Sequence, residues 1–118
     1  MTVADCLFCK IVAGDVPADV VYRGERTLAF RDINPQARTH VLVVPLDHYE
    51  DAVWLAAEEP SLLADVVVAA GEVAAAEGIA ESGYRLVFNT GPDAGRTVFH
   101  AHLHVVGGEQ LGLSFGRR

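Results

Sequence analysis

Three histidines stand two residues apart near the end of the chain, in the run HAHLHVVGG at positions 100–108. Successive side chains of a β-strand point to opposite faces of its sheet, so His100, His102 and His104 are predicted to share one face. The residues beside and between them are predicted to point the other way, against the core: Phe99, Ala101, Leu103 and Val105. Three imidazoles on one face, with apolar residues opposite, indicate a chemical site rather than a surface strand.

The spacing of these histidines restricts the chemistry that they can share. Residues on one face are about 6.5 Å apart along a strand, which puts His100 and His104 about 13 Å apart. A metal ion needs its ligands within about 2.1 Å, which a single strand cannot easily provide. A neutral imidazole is a good nucleophile at pH 7, and a second one beside it can carry the compensating proton. The pattern therefore favours phosphoryl chemistry at a pair of histidines and another task for the third.

The composition limits the class of protein. The chain has 118 residues, of which 51% are hydrophobic. This length is typical of one domain with a buried core, so a single domain is predicted over residues 1–118. Nine basic and 16 acidic residues give a net charge of −7. That balance argues against a nucleic-acid partner, which normally needs a basic face, and requires that a site for an anionic substrate be locally positive.

The sequence predicts neither a membrane span nor an export signal. No segment approaches the roughly 18 consecutive apolar residues of a membrane helix, and the first residues, MTVADCLFC, do not follow the plan of a signal peptide. We therefore expect no membrane partner and a cytoplasmic location. In that compartment the two cysteines are expected to be thiols or metal ligands rather than a disulfide.

Five segments have the composition of β-strands. They are DVVYRG, TLAFRDI, THVLVVP, GYRLVFN and TVFHAHLHVVG. The first two are joined by RGER, which is typical of a hairpin turn. The third is a continuous apolar run that Pro45 ends, which predicts a central strand buried on both faces. Because several connections are short, an antiparallel sheet with helices packed against it is expected.

Three further segments predict helices, two short and one long. ADCLFCKIVAG is predicted to form a short helix that Asp5 caps and Gly14 ends, and HYEDAVWL to contain another short helix. The longest is PSLLADVVVAAGEVAAAEG, with Pro60 at its first position and Gly78 just past its end. Its apolar residues form a wide stripe at helical spacing. That stripe leaves two alternatives open: contact with the sheet alone, or contact with the sheet and a second subunit.

The sequence resembles a known family, the histidine triad (HIT) proteins. Their motif is His-x-His-x-His followed by two apolar residues, and HAHLHVV matches it at every position. FCKIVAGDVPA is similar to the N-terminal helix and turn of the branch that includes the nucleotide-binding phosphoramidases. AFRDINPQARTHVLVVPLDH and NTGPDAGRTVFHAHLHVVGG resemble the two halves of its site. The resemblance covers almost the whole chain and is closest to bacterial, zinc-containing members.

The resemblance implies a fold and an activity. The fold would be α+β and HIT-like: a five-stranded antiparallel sheet with one long and one short helix, paired into a two-fold homodimer. The protein would be a hydrolase of purine nucleoside 5′-phosphoramidates, such as AMP–amine adducts, acting through a covalent nucleotidyl-histidine without a catalytic metal. Two alternatives stay open: a dinucleoside polyphosphate hydrolase, and a non-catalytic nucleotide-binding or partner-binding protein with a structural zinc.

The family's catalytic roles fall on four residues by resemblance. His102 corresponds to the attacking histidine, and His104 to the one that contacts the phosphate and helps the leaving group depart. His40 corresponds to the histidine that orients the site, and Thr97 to a phosphate-binding donor. Relatives with His rather than Gln at the last triad position tend to be hydrolases.

The nucleotide-binding residues are assigned in the same way. Asp32 corresponds to the acceptor for the ribose hydroxyls, and Gly91 and Gly95 let backbone N–H groups approach an oxyanion. Arg96 departs from the usual Gln, and would clamp a leaving group or phosphate or else face solvent; Arg31 stands where some relatives have His. The predicted base pocket is Leu7, Phe8, Phe30 and Ile33, for which core packing is the alternative. The other predicted contacts are Asn89, Gly95, Arg96, Thr97, Val98, His102 and His104.

A metal site is implied as well. Cys6 and Cys9 form a C-x2-C pair, which alone is typical of two small buried residues on a helix. Some bacterial relatives bind zinc with such a pair and two histidines that correspond to His48 and His100. Two thiolates and two imidazoles suit tetrahedral Zn²⁺ and leave no open position for catalysis, so the zinc would be structural. The tail EQLGLSFGRR departs from the tails of close relatives, which reach the partner's site, so substrate discrimination is expected to differ.

Overall fold

The computed structural model describes residues 5–112, which form one antiparallel sheet with helices against both of its faces. The strands are β1 (Val20–Arg23), β2 (Thr27–Arg31), β3 (Thr39–Pro45), β4 (Tyr84–Phe88) and β5 (Leu103–Gly107), in the spatial order β1-β2-β3-β5-β4. The helices are α1 (Leu7–Ala13), α2 (Ala52–Glu58) and α3 (Pro60–Ala76), and a 3₁₀ turn covers Pro92–Ala94. The predicted α+β fold is confirmed, with two short helices among the described residues where the resemblance implied one.

The central strand is β3, as its apolar run predicted. All seven of its residues are buried, and it is paired with β2 on one side and β5 on the other. Val41 and Val43 lie in the core beneath α3, whereas Leu42 and Val44 lie in the core beneath α1. A strand covered on both faces needs no polar alternation, which explains the unbroken apolar sequence.

The long helix, α3, covers one face of the sheet. It begins at Pro60 and is followed by Gly78 in the left-handed conformation (φ 76°), so both predicted end signals are confirmed. The side chains that it buries are Leu62, Val66, Ala69, Ala70, Val73 and Ala74. These residues recur at helical spacing and pack on the sheet. One side of the apolar stripe on α3 thus contacts the sheet, as both alternatives required.

The N-terminal helix begins differently from the prediction. Its N-cap is Cys6 and not Asp5, because the Cys6 sulfur accepts a hydrogen bond from the Cys9 N–H at 3.3 Å. The predicted end is confirmed, since Gly14 adopts the left-handed conformation (φ 84°). The C-x2-C spacing therefore serves a helix cap, which places both thiols at the start of α1.

The last strand is shorter than predicted. It begins at Leu103, so His100 and His102 lie on the irregular segment before it and only His104 lies within β5. Ala101, Leu103 and Val105 do pack into the core beneath α3, as the alternation predicted. Phe99 does not, because its ring lies under the guanidinium of Arg96, 4.3 Å from it. The three histidines thus do not share one regular strand face.

None of the helices within residues 5–112 is long and apolar enough to cross a membrane. The predicted effect of the tail concerns residues 109–118, of which those from 113 onward lie outside the described part. The single domain, the cytoplasmic location and the two-fold dimer stay predictions.

Candidate active site and metal-ligating cluster

A cleft of about 1110 Å³ opens on the α1 face of the sheet. The residues predicted for catalysis or nucleotide binding line it, with the exception of Gly91, and they come from distant parts of the chain. They are Leu7, Phe8, Phe30, Asp32, Ile33, His40, Asn89, Gly95, Arg96, Thr97, Val98, His102 and His104. Gly91 is not among the lining residues; it and Gly95, both with positive φ, flank the 3₁₀ turn. The fold thus brings these residues together in one cavity, and their roles stay predictions.

The imidazole of His102 is held in one tautomer by the backbone. Its Nδ1 lies 2.7 Å from the carbonyl oxygen of His100, which can only accept a hydrogen bond. Nδ1 therefore carries the proton, and Nε2 of the neutral ring carries the lone pair. Burial is the main cause that lowers the pKa of His102, so the ring is neutral at pH 7. This arrangement leaves Nε2 as a nucleophile.

His104 and His40 form a chain of hydrogen bonds with a defined direction. The Gln36 N–H donates to Nδ1 of His40 at 3.0 Å, so the proton of a neutral His40 is on Nε2. That Nε2 lies 2.9 Å from Nδ1 of His104 and donates to it. The remaining proton of His104 is then on Nε2. His104 thus offers a donor where His102, 5.1 Å away between ring centroids, offers a lone pair.

Burial also keeps His104 uncharged. Desolvation, followed by the charges that its neighbours His102 and His40 would carry, lowers the pKa of His104 to about 4. An unprotonated pair of rings matches the hydrogen-bond chain, because an added proton on Nδ1 of His104 would oppose the donor on His40.

The side of the cleft that was predicted to bind a nucleoside combines a carboxylate with an apolar wall. Asp32 accepts a hydrogen bond from the Asn34 N–H at 2.8 Å and lies 3.4 Å from Nε2 of His40. The rings of Phe8 and Phe30 meet edge-on at 5.4 Å, and both are buried in the core while lining the cleft. Ile33, by contrast, is 99% exposed at the rim. The core alternative therefore applies to the two phenylalanines but not to Ile33, nor to the exposed Leu7.

Arg96 does not face solvent, which excludes one of the two alternatives left by its sequence; the clamp on a leaving group or phosphate stays a prediction. Its side chain is only 5% exposed and stacks on Phe99. It contacts the Glu50 carbonyl and carboxylate at 3.3 and 3.5 Å and the Asp51 carboxylate at 3.7 Å. Arg31, the other uncertain arginine, donates to both carboxylate oxygens of Glu77 at 2.8 and 3.0 Å.

A second group of side chains lies beside the cleft and outside its lining. This Cys/His cluster consists of Cys6, Cys9, His48 and His100, and its ligand atoms all lie within 4.8 Å of one another. Nδ1 of His100 is 3.2 Å from Nδ1 of His48, 3.4 Å from the Cys6 sulfur and 3.5 Å from the Cys9 sulfur. The Cys9 sulfur is 3.3 Å from Nδ1 of His48. The four predicted ligands are thus brought together.

The donor set of the Cys/His cluster fits a tetrahedral metal ion. Tetrahedral zinc would separate two nitrogens by about 3.3 Å and a nitrogen and a sulfur by about 3.6 Å, close to the observed distances. Nε2 of the buried His100 donates to the Pro45 carbonyl at 2.9 Å, so its Nδ1 lone pair is directed into the cluster. Burial and Cys6 raise the pKa of the Cys9 thiol to about 11, so a thiolate here needs a cation beside it.

A second group of possible ligands, Asp32, His40 and His104, lies within the cleft. Its hydrogen bonds argue against a metal there. Nδ1 of His40 already accepts from Gln36, so Nε2, the atom facing the other two residues, carries a proton instead of a free lone pair. The tautomers therefore separate a metal-binding cluster from a proton-handling one.

Several residues of the site were not predicted from the sequence. Gln36 and Pro45 act through a backbone N–H and a backbone carbonyl, which every residue type offers. Glu50 and Asp51, which surround Arg96, are more than 40 positions away from it in the chain. No signal in the sequence marked these contacts.

Comparisons with known proteins find similar sequences and a similar solved structure. A family model described as "HIT domain" matches residues 13–111. The chain is 41% identical over 108 residues to a purine nucleoside phosphoramidase of Escherichia coli, covering 92% of this chain and 91% of that protein. It is 44% identical over 107 residues to an uncharacterised HIT-like protein of Synechococcus elongatus, covering 91% and 93%. A crystal structure of a HIT family hydrolase from Legionella pneumophila superposes with a TM-score of 0.90 at 46% identity, covering 95% of this chain and 100% of that one.

Proposed function

The chain belongs to the HIT domain family, and from this premise we propose that it is a nucleotide hydrolase of the phosphoramidase type. The substrate is a purine nucleoside 5′-phosphoramidate, and the reaction passes through a nucleotide bound covalently to His102. Support for the substrate class comes from the relative in Escherichia coli that is named a purine nucleoside phosphoramidase.

The observation that carries this proposal is the tautomer of His102. Its Nδ1–H is bound to the His100 carbonyl, and its ring lines the cleft together with Asp32, Thr97 and His104. A nucleotide with its ribose on Asp32 and its phosphate on Thr97 would present phosphorus to Nε2 of His102. A histidine that served only the core would not need this environment.

The first chemical step forms a bond between Nε2 of His102 and phosphorus while the P–N bond of the substrate breaks. Binding of the anionic phosphate favours uptake of a solvent proton by His104, while the Nε2–H of His40 turns to the Asp32 carboxylate, 3.4 Å away. The cationic His104 then passes its Nε2 proton to the departing amine nitrogen and is neutral again, so this step takes up one proton. In the second step water attacks phosphorus, His102 leaves, and one proton returns to solvent. Backbone N–H groups near Gly95 and the Thr97 hydroxyl stabilise the phosphate oxygens.

The proposal includes a structural zinc ion in the Cys/His cluster. The ion would be held by Cys6, Cys9, His48 and His100, whose spacing and tautomers support it. When bound, it supplies ligation energy that ties α1 to the sheet. Elemental analysis of gently purified protein tests its presence, and a metal-free sample with an unchanged Tm would contradict a structural role.

The test of the function is to trap the covalent intermediate. We expect mass analysis of protein quenched during turnover of an AMP–amine phosphoramidate to show one added nucleotidyl group on His102. His102→Ala should abolish hydrolysis, by at least about 10⁴-fold, and keep nucleotide binding nearly intact. Unchanged turnover in His102→Ala would refute the mechanism, and nucleotide binding without turnover in the parent protein would favour the non-catalytic alternative.

A second candidate, hydrolysis of dinucleoside polyphosphates, is favoured by the size of the cleft. Its volume of about 1110 Å³ lies at the upper end of ordinary ligand pockets, which leaves room for a large leaving group. Both substrates should be assayed side by side on the same preparation. Faster turnover of the dinucleotide would reverse the preference for P–N cleavage.

A further inference from the structure

We propose that His100 is a positioning residue for the nucleophile, so that metal occupancy of the Cys/His cluster controls the reactivity of His102. The inference rests on the proposed function and adds a coupling between the Cys/His cluster and the cleft, which share no residue. Without such a coupling the metal would contribute to stability only.

The two ends of His100 belong to different sites. Its ring is buried, with Nδ1 in the Cys/His cluster and Nε2 bound to the Pro45 carbonyl at 2.9 Å. Its own carbonyl accepts the Nδ1–H of His102 at 2.7 Å. If that carbonyl moves, the ring of His102 can take the other tautomer, in which Nε2 carries a proton and cannot attack phosphorus.

The backbone around His100 has little sheet pairing to fix it. β5 begins at Leu103, so residues 97–102 lie outside the sheet. The Ala101 N–H donates to the Tyr49 carbonyl at 2.7 Å, and Tyr49 directly follows His48. Ligation of His48 and His100 by one ion would therefore clamp both sides of this backbone hydrogen bond and hold the His100 carbonyl in place.

Phe8 provides a second link between the two sites. It lies between Cys6 and Cys9 in α1, and its ring centroid is 5.0 Å from that of His102 and 6.1 Å from that of His100. A seven-residue helix is not stable alone in water, so α1 depends on these contacts and on its cluster. A bound ion that holds both thiolates keeps Phe8 against the nucleophile.

The experiment compares metal-loaded protein with protein stripped by a chelator, and both with His48→Gln, which alters a ligand that does not line the cleft. We expect kcat for an AMP–amine phosphoramidate to fall by about 10–100-fold on metal removal, with a smaller change in KM, and to recover when Zn²⁺ is returned. In ¹⁵N-histidine spectra, loaded protein should show His102 as the Nδ1–H tautomer, and stripped protein a mixture of both.

A matched control separates positioning from plain destabilisation. Val66→Ala removes core volume beneath α3, on the opposite face of the sheet from the cleft. At a temperature well below its Tm it should keep kcat within about twofold and retain the His102 tautomer, even with a Tm loss like that of the stripped protein.

The coupling between the metal and His102 is contradicted by specific results. Folded, metal-free protein with an unchanged His102 spectrum and unchanged kcat overturns it, as does loss of the tautomer in Val66→Ala. If chelation unfolds the protein, His48→Gln supplies the comparison, because three ligands remain. If loaded protein hydrolyses no nucleotide, the proposed function fails, whereas the ¹⁵N spectra still decide whether the metal positions His102.

Discussion

The hydrogen bonds of His104 support its proposed role as a proton donor. Nδ1 accepts from His40, so the proton on Nε2 is the one available to a leaving group in the cleft. A proton donor matters most when the leaving group is a poor one, such as an amine. His104 should therefore act on departure of the leaving group rather than on binding of the nucleotide.

We expect His104→Gln to lower kcat for an alkylamine phosphoramidate by about 10²–10³-fold, since general acid catalysis typically contributes this much. The loss should shrink to less than about tenfold for a substrate with a nitrophenolate leaving group, which needs no proton. Steady-state rates on the two substrates, measured with one enzyme preparation, check this. Equal losses on both would assign His104 to phosphate binding instead.

The same residue predicts a dependence of stability on pH. Burial and neighbouring charges lower the pKa of His104 to about 4 in the folded chain, whereas its ordinary value is 6.5. Between these values the unfolded chain binds a proton that the folded chain does not, so the free energy of unfolding decreases as pH falls from 6.5 to 4. Above 6.5 this contribution is constant. The slope reaches at most about 1.4 kcal/mol per pH unit for one group.

Urea unfolding of the parent and of His104→Gln at several pH values isolates this contribution, because the other histidines are common to both. As the pH falls from 6.5 to 4, the free energy of unfolding of the parent should decrease more than that of His104→Gln. Parallel curves from pH 7 to pH 4 would show that His104 is not held neutral by the fold.

At the scale of elements, Gly107 in β5 lies close to β4 and to the segment that follows α3. A Cβ built on Gly107 would lie 2.9 Å from Cδ1 of Ile79, 3.2 Å from Cβ of Tyr84 and 3.3 Å from the Gly83 carbonyl. Gly107 stands opposite both Tyr84 in β4 and Thr39 in β3. Its small size is therefore a packing requirement of the sheet.

Gly107→Ala should destabilise the protein by about 1–3 kcal/mol, the usual cost of overpacking. Gly71→Ala is the matched control, because a Cβ there meets nothing within 4 Å in the middle of α3, and it should stabilise by up to about 1 kcal/mol. Combining Gly107→Ala with Ile79→Val removes the nearest clashing atom, so the double variant should lose less than the sum of the single losses. If the losses of stability in the two single variants simply add, the strain in Gly107→Ala does not come from its contact with Ile79.

Much of the element scale was predictable because the signals are local. Pro60 and Gly78 mark the ends of α3, and the unbroken apolar run marks β3. The resemblance to the family pointed to residues that the fold brings together in the cleft. The cap at Cys6 was missed because Asp5 is the commoner capping residue type, and the cap is set by which side-chain atom reaches the Cys9 N–H.

The rest of the site depends on backbone atoms and distant pairs. The tautomers of His40 and His100 are fixed by a backbone N–H and a backbone carbonyl, which carry no residue-type signal. The late start of β5 follows from the segment's ties to the Tyr49 carbonyl and to the Cys/His cluster. Such long-range contacts appear only once the fold is assembled.

At the scale of the whole molecule, apolar side chains are exposed on both β4 and α3 within the part of the chain that the structure describes. Tyr84 and Leu86 in the edge strand β4 are exposed, and they share a face with Phe88, which packs against the core beneath α3. Val67 and Val68 are exposed on α3 itself, at 42% and 65%. Exposed apolar residues on an edge strand and on a helix are each typical of an interface. They fit the second alternative for the α3 stripe, contact with another copy of the chain, which we propose.

We expect the parent protein to sediment at twice the 12.6 kDa of one chain, and the double variant Val67→Glu/Leu86→Glu to sediment as a monomer, because two buried carboxylates facing their symmetry copies would be repelled and desolvated. Val53→Glu is the control: Val53 is 70% exposed on α2, away from β4, and its variant should remain a dimer. A parent that sediments at the mass of one chain at micromolar concentration would contradict the dimer outright. A double variant that stays dimeric would move the interface to another face, since its charges would then lie in solvent.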